Sequence, residues 1–351
     1  MPHHDLLRLC EGQAPGEFSV AIPDLAWLDR RREPVLEPHL PIIDACHHLW
    51  EPPRFPYLPA DLQVDVGSGQ NIVATVYVQA QTRYLAEGPE DLRPLGETEY
   101  VVGVAEAAAA RGGPRLCAAI VGYADMLLGD RAGEVIDRHL EIAGPRFQGL
   151  RHSASRDPGV KAAPTAAPLG LYGDPAFRRG IACIVERDLV FDAWLYQSQL
   201  QDAVDLARAF PDLRIVLDHC GGPLRIGPYA DHPKEAFEAW AAAVKAVAAC
   251  PNVSVKLGGL GFGSLAFDFH KRSEPPSSQD VAEAFRPYIE TCIEAFGPHR
   301  AMFESDFPAD RAGQSYAVLW NAFKRIVAGA SSDEKRDLFS AAASRTYRLD
   351  L

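Results

Sequence analysis

The sequence predicts an α/β protein whose strand–helix units close into a single, distorted (β/α)8 (TIM) barrel. Short apolar runs that suit strands buried on both faces alternate with amphipathic stretches along the chain. There are eight such runs, which is the number that closes this type of barrel. A doubly wound open sheet would favour a glycine-rich phosphate loop after the first run, and that segment has none. The later stretch GGLGFG (258–263) lacks a GK[ST] ending, so we interpret it as a close-packed loop.

The predicted strands and helices follow one another along most of the chain. Several helical stretches begin with Ser, Asp or Pro, which suit helix N-termini. The predicted strands are PIIDAC (41–46), IVATVYVQA (72–80), RLCAAIVGYA (115–124), RFQGLRH (146–152), LVFDAWLY (189–196), RIVLDH (214–219), NVSVKLGG (252–259) and RAMFESD (300–306). The predicted helices are ETEYVVGVAEAAAARG (97–112), DRAGEVIDRHLEIA (130–143), DPAFRRGIACIVERD (174–188), SQLQDAVDLARAF (198–210), PKEAFEAWAAAVKAVAAC (233–250), SQDVAEAFRPYIETCIEAF (278–296) and SYAVLWNAFKRIVAG (315–329).

The remaining segments are predicted to lie outside the regular barrel units. Residues 1–40 are rich in proline and charge, and we expect an extended arm there, with the barrel domain spanning 41–351. Three ranges rich in Pro, Gly and Ser are predicted as long loops over one barrel face. These ranges are 53–70, 155–173 and 262–278.

Charge and composition exclude several classes of partner. The 351 residues carry a net charge of −12, and the pI is near 5.4. An acidic chain is a poor match for nucleic acid or an anionic membrane surface, although a few local arginines can bind a small anion. The predicted partner is a small-molecule substrate, and the net charge does not exclude an anionic one. The sequence leaves the oligomeric state open, with a homo-oligomer as one alternative.

The sequence also predicts a cytoplasmic location. It contains no run of 18 apolar residues that would span a membrane, and its first residues lack the pattern of a signal peptide. The seven cysteines are scattered, odd in number and without CxxC spacing. This usage favours reduced thiols over a disulfide scaffold.

Polar side chains collect where the predicted strands end, and in a barrel those ends carry the active site. Seven of the eight strands end in groups able to bind or catalyse. In chain order these are Asp44, Cys46, His47, His48 and Trp50; Gln79 and Arg83; Arg151 and His152; Trp194, Tyr196 and Gln197; Asp218, His219 and Cys220; Lys256; and Glu304 and Asp306. Random core polarity would not concentrate at one barrel end.

Some of these polar residues are better explained by structure than by chemistry. We expect Asp44 to accept hydrogen bonds from loop amides, and His47 to point away from His48 because strand side chains alternate. His139 and His299 lie on or beside predicted helices and are expected at the surface.

The strand-end motifs resemble the amidohydrolase superfamily, in particular the group that includes 2-pyrone-4,6-dicarboxylate lactonase, L-fuconolactonase and related decarboxylases. The order and spacing of these motifs, which extend over residues 41–310, make the resemblance specific. The motifs are IIDACHHLW, FQGLRHS, VLDHCGGP, VKLGGLG and MFESDFPAD.

The resemblance implies a metal-site pattern that this sequence only partly keeps. The family's first strand usually supplies His-x-His, which corresponds here to Cys46 and His48. The remaining ligand positions correspond to His219 and Asp306. Gln79 and Gln197 stand where relatives often have an acid and a histidine. These departures favour a weak or absent metal, with one divalent ion (Zn or Mn) bound by Cys46, His48, His219 and Asp306 as the alternative.

The resemblance assigns roles under either alternative. With or without a metal, Asp306 is the expected general base that takes a proton from water. Without a metal, His48 and His219 would polarise the substrate carbonyl. Covalent attack by Cys46 is a further option that no sequence feature supports.

Substrate binding is assigned to a second set of residues. A substrate carboxylate would be held by the candidate cations Arg83, Arg151 and Lys256, arginine most naturally through a two-pronged contact. Tyr196 and Trp50 are the other predicted substrate contacts.

The implied function is hydrolysis of a small carboxylate-bearing lactone or a related cyclic ester or amide. One alternative in the same fold is non-oxidative decarboxylation of an unsaturated or aromatic acid. Another is a catalytically altered barrel with a binding or non-hydrolytic biosynthetic role.

Overall fold

A computed structural model confirms the predicted barrel. It describes residues 21–52, 54–160, 167–261, 263–265 and 267–350. Eight parallel strands pair in chain order, and most helices of the described chain lie between successive strands. The strands are β1 Ile42–His47, β2 Ile72–Val78, β3 Arg115–Gly122, β4 Phe147–Arg151, β5 Val190–Ala193, β6 Arg214–Leu217, β7 Val253–Leu257 and β8 Ala301–Phe303.

The predicted helices are also present, and the structure adds shorter ones. In the described chain the α-helices are α1 Leu25–Leu28, α2 Pro59–Val66, α3 Leu95–Arg111, α4 Ala132–Ala143, α5 Pro175–Glu186, α6 Leu200–Ala209, α7 Pro233–Ala248, α8 Ser278–Phe296, α9 Tyr316–Ile326, α10 Ser332–Arg336 and α11 Ala342–Thr346. A π-helical turn, Asp337–Ala341, joins α10 to α11.

The loop predicted over 53–70 is wrong in part, because it contains α2. The carboxylate of Asp61 accepts a hydrogen bond from the amide of Leu58 at 2.8 Å, and Pro59 occupies the first helical position. Both features stabilise a helix start within a proline-rich stretch. Parts of the other two predicted loops, 161–166 and residues 262 and 266, lie outside the described residues.

Side-chain size explains how the barrel interior is filled. Small residues such as Ala45, Val76, Ala119 and Val216 pack inside, while larger apolar side chains fill the layer between strands and helices. Tyr347, just after α11, joins the interior cluster and donates its hydroxyl to the carboxylate of Asp192 in β5 at 3.0 Å. The end of the chain therefore contributes to the barrel core.

The seam between β8 and β1 is held by few backbone hydrogen bonds. The amide of Asp306 donates to the carbonyl of Cys46 at 3.0 Å, and the amide of His48 donates to the carbonyl of Phe307 at 2.7 Å. These bonds place the residue that follows β8 directly beside the end of β1.

The carboxylate of Asp44 strengthens this seam. It is fully buried and accepts hydrogen bonds from the Ser305 amide at 2.8 Å, the Ser305 hydroxyl at 2.6 Å and the Tyr316 hydroxyl at 2.9 Å. Asp44 thus links β1 to the segment after β8 and to α9, which confirms its expected role as a structural acceptor.

The described part of the predicted arm lies against α8 and α9. The guanidinium of Arg31 donates to the carbonyl of Pro275 at 3.2 Å, and the ammonium of Lys324 donates to the carbonyl of Leu36 at 2.6 Å. The carboxylate of Glu33 accepts from the amide of Ser278 at 2.8 Å. Residues 1–20 lie outside the described residues, so the extended arm over 1–40 stays a prediction.

The expectation that His139 lies at the surface is wrong. His139 is fully buried in α4, with its ring nitrogens 2.8 Å from the Thr98 hydroxyl and 2.9 Å from the Tyr123 carbonyl. Burial lowers its pKa to about 4, so the ring is neutral. His299, in contrast, is exposed as expected.

Two further observations concern the described chain as a whole. None of its helices is long and apolar enough to cross a bilayer. Its six cysteines are all buried and form no disulfide with one another.

The hydrogen bonds of Asp44 at the seam predict that two substitutions lower the free energy of unfolding by different amounts. Asp44→Ala should lower the free energy of unfolding by about 3 kcal/mol, because two amides and two hydroxyls lose a buried acceptor. Tyr316→Phe removes only one of these bonds and should cost about 1 kcal/mol. Urea-unfolding curves of both variants measure the difference. Equal, small losses would show that Asp44 does not stabilise the seam.

Candidate active site

Three buried side chains converge at the C-terminal end of β1. The ligand atoms of Cys46, His48 and Asp306 all lie within 4.8 Å of one another. His48 Nε2 is 3.1 Å from Asp306 Oδ1 and 3.8 Å from Cys46 Sγ. The barrel seam produces this convergence, because it pairs the backbone of Asp306 with that of Cys46.

The tautomer of His48 is set by a backbone carbonyl. Its Nδ1 lies 2.7 Å from the carbonyl of Val78, which can only accept, so Nδ1 carries a hydrogen. Burial lowers the pKa of His48 and so favours the neutral ring, whose Nε2 is then an acceptor. Burial alone would raise the pKa of Asp306, but His219, His48 and Arg151 together lower it. Two acceptors 3.1 Å apart require a shared proton or a shared cation.

The burial of Cys46 adds to this requirement. Burial raises the pKa of the Cys46 thiol well above its usual range, although Lys256 opposes the shift. Without a cation beside it the thiol is therefore protonated. A divalent ion bound by Cys46, His48 and Asp306 would replace that proton, and three such ligands suit a catalytic zinc with an open position.

His219 approaches the same cluster and is oriented by a carboxylate. Its Nδ1 is 2.8 Å from Glu304 Oε1, which also accepts from the His219 amide at 3.2 Å. Its Nε2 is 3.9 Å from Asp306 Oδ1. Burial lowers the pKa of His219, but Glu304 and Asp306 outweigh it and raise the pKa to about 9. His219 is then an imidazolium that carries a hydrogen on each ring nitrogen and donates the Nδ1 hydrogen to Glu304.

The loop after β7 packs directly on this pair. Gly259 has φ +62°, and a Cβ there would lie 2.4 Å from His219 Nδ1. A Cβ at Gly258 would lie 2.4 Å from the carbonyl oxygen of Glu304. This confirms close packing for the first two residues of the GGLGFG stretch; residue 262 lies outside the described residues.

A buried ion network lies beside the cluster and spans four strands. Lys256 Nζ, which is fully buried, is 2.6 Å from Asp192 Oδ2 and 2.9 Å from Asp218 Oδ1. Asp218 Oδ2 is in turn 3.6 Å from Nη1 of Arg151. Burial raises the pKa of Asp192. The pKa of Asp218 is lowered instead, because the positive charges of Lys256, His219 and Arg151 outweigh the effect of burial.

Arg151 is buried between this network and the cluster, with 4% of its surface exposed. Its Nη2 donates to the carbonyl of Gln79 at 2.5 Å, and its guanidinium lies 5.4 Å from the Trp194 ring. Within the described residues, Nε and Nη1 have no hydrogen-bond partner. Buried N–H groups without an acceptor are uncommon and indicate a partner such as a ligand.

The other predicted substrate contacts occupy different settings. Trp50 is stacked on His48 with ring centroids 6.5 Å apart. Tyr196 is buried, and its hydroxyl has no hydrogen-bond partner in the described chain. The side chain of Arg83 is 56% exposed and pairs with Glu51 at 2.6 Å. Arg83 is thus engaged at the surface, while Trp50 and Tyr196 are interior groups.

Sequence reasoning identified the cluster but missed several of its partners. Glu304 was named at the end of β8 without being matched to His219, and Asp192 and Tyr347 were not singled out. A signal for the network is present, however. Asp192 in VFDAW and Lys256 in VSVKL are opposite charges within apolar strands, and buried charges need a partner.

Comparison with known proteins identifies the family. A family model described as Amidohydrolase matches residues 43–349. The chain belongs to the amidohydrolase family, which confirms the resemblance drawn from the strand-end motifs.

Three similar proteins illustrate this membership. An uncharacterized protein, y4mH, of Sinorhizobium fredii is 35% identical over 294 residues, covering 84% of this chain and 86% of that protein. An L-fucono-1,5-lactonase of Burkholderia multivorans is 27% identical over 321 residues, covering 88% and 96%. The crystal structure of a Burkholderia multivorans amidohydrolase with bound zinc has a TM-score of 0.68 at 26% identity, covering 88% and 99%. The family and the lactonase relative support a hydrolase of the amidohydrolase type.

Proposed function

We propose that the protein hydrolyses a small lactone that bears a carboxylate. The observation that carries the proposal is the 3.9 Å approach of an oriented imidazolium, His219, to a carboxylate, Asp306. A base and an N–H donor at this separation suit attack of water on a carbonyl. The similarity to L-fucono-1,5-lactonases supports a lactone as the substrate class.

The residues divide the chemical step between them. Asp306 accepts a proton from water as the water oxygen forms a bond to the lactone carbonyl carbon. The N–H at His219 Nε2 donates to the carbonyl oxygen as negative charge develops there, and Glu304 keeps that N–H aimed. The ring C–O bond then breaks, and Asp306 returns its proton to the leaving ring oxygen. The product is a hydroxy acid, which releases a proton to solvent.

Arg151 is the proposed site for the substrate carboxylate. It is the predicted arginine that lies beside the cluster, and its Nε and Nη1 have no hydrogen-bond partner among the described residues. A guanidinium can bind a carboxylate through two parallel hydrogen bonds. A carboxylate-bearing lactone should therefore be preferred over an uncharged one.

We also infer that Cys46, His48 and Asp306 hold one divalent ion. The cluster fits such an ion, because two acceptors and a buried thiol converge there. A thiolate ligand favours zinc over manganese. When bound, zinc supplies Lewis-acid polarisation of the carbonyl and makes water more acidic. The sequence-based preference for a weak or absent metal stays untested, and zinc content decides between the two.

The activity can be tested with two lactones and a pH indicator. We expect turnover of 2-pyrone-4,6-dicarboxylate to exceed that of L-fucono-1,5-lactone, since only the former carries carboxylates. Asp306→Asn should reduce the rate by about 100-fold or more, because it removes the general base. Glu283→Gln, which neutralises an exposed carboxylate on α8, is the matched control. Full activity of Asp306→Asn would disprove the assigned role, and the opposite substrate preference would disprove carboxylate recognition.

Metal content provides a separate test. After incubation with zinc and extensive dialysis, elemental analysis should find about one zinc per chain, since three protein ligands suffice for a catalytic site. Cys46→Ala should lose most of this zinc, whereas Cys46→His should retain it. Cys183→Ala, a change at a buried thiol of α5, is the control. Zinc-free protein that hydrolyses a lactone at full rate would establish the metal-free alternative.

A further inference from the structure

Lys256 occupies a position that a substrate contact would not have. Its side chain is completely buried within β7, and its ammonium is held between Asp192 and Asp218 at 2.6 and 2.9 Å. Such a group acts on a ligand only through the residues that it contacts.

Asp218 is the residue through which Lys256 reaches the site. One oxygen of Asp218 lies 2.9 Å from Lys256, while the other is 3.6 Å from Arg151 Nη1. The second distance is too long for a hydrogen bond. Neither Asp218 oxygen has a hydrogen-bond partner among the described residues, so both contacts are ion pairs. Lys256 is the closer ion-pair partner of Asp218, and Arg151 is the more distant one.

We infer that Lys256 is a positioning residue that occupies Asp218 and thereby keeps the Arg151 guanidinium available to a carboxylate ligand. The inference rests on the proposed function only in giving Arg151 an anionic ligand. It replaces the direct substrate contact predicted for Lys256 from the sequence.

The physical reason is competition between two cations for one buried carboxylate. Arginine and a carboxylate shielded from water form a strong two-pronged pair. The four groups, Lys256, Arg151, Asp192 and Asp218, carry two positive and two negative charges, so the network is balanced. Without Lys256, Arg151 would be the cation that remains within ion-pair distance of Asp218 among the described residues. The Arg151 guanidinium would then form an ion pair with Asp218 and would no longer be available to a ligand.

Binding of benzoate, measured by calorimetry, tests this inference without any turnover. Benzamide, which has the same ring and no charge, is the matched ligand control. Wild-type protein should bind benzoate in preference to benzamide. Lys256→Met should weaken benzoate binding by about tenfold or more. This is the cost of losing a charged hydrogen bond, here the one between the Arg151 guanidinium and the benzoate carboxylate.

The double variant Lys256→Met/Asp218→Asn distinguishes positioning from general support of the fold. It removes the carboxylate that would capture Arg151, so benzoate affinity should return to within about threefold of wild type. If Lys256 only stabilised the barrel, a second buried change would weaken binding further. If Lys256→Met fails to fold, the single variant Asp218→Asn tests the inference. It should bind benzoate at least as well as wild type, because it lacks the carboxylate that would compete for Arg151.

Two further results would also overturn the inference. Weaker benzoate binding by Asp218→Asn would show that this carboxylate holds Arg151 in place and does not compete for it. Equal binding of benzoate and benzamide by wild type would show that Arg151 does not form an anion-binding site. Because benzoate is not hydrolysed, either result is distinct from a failure to turn over lactones.

Discussion

The closure of the barrel between β8 and β1 is the constraint on which the site depends. Regular ladder pairing gives way there to two backbone hydrogen bonds and the buried carboxylate of Asp44. The same bonds place Asp306 beside Cys46 and His48, although Asp306 lies 258 positions after His48 in the sequence. The interaction that completes the fold is thus also the one that assembles the candidate chemistry.

Charge compensation explains why so polar an interior is stable. Taking a lone charge out of water costs several kcal/mol, so buried ions persist only with partners. Two buried cations near the cluster have opposite charges nearby: His219 faces Glu304 and Asp306, and Lys256 lies between two aspartates. These ion pairs also affect ligand binding, because a charged group that is paired within the protein is not available to a ligand.

The features that could be predicted from the sequence are those that depend on a local pattern of residues. Strands buried on both faces are continuous apolar runs, and Cys46 and His48 fall at the end of one. The helix α2 was missed because its short segment lies in a proline-rich stretch, and His139 was misplaced because an amphipathic pattern does not show which polar residue faces inward. The pairing of His219 with Glu304 depends on spacing between strands that are distant in the chain, which no local pattern contains.

The tight packing of Gly258 and Gly259 against Glu304 and His219 has an evolutionary consequence. A side chain at position 259 would occupy the space of the imidazole ring, so it becomes tolerable only once the histidine has been replaced. Positions 219, 259 and 304 should accordingly covary among related chains. Lineages that have lost the histidine would lose this steric constraint on position 259, although the positive φ there would still favour glycine.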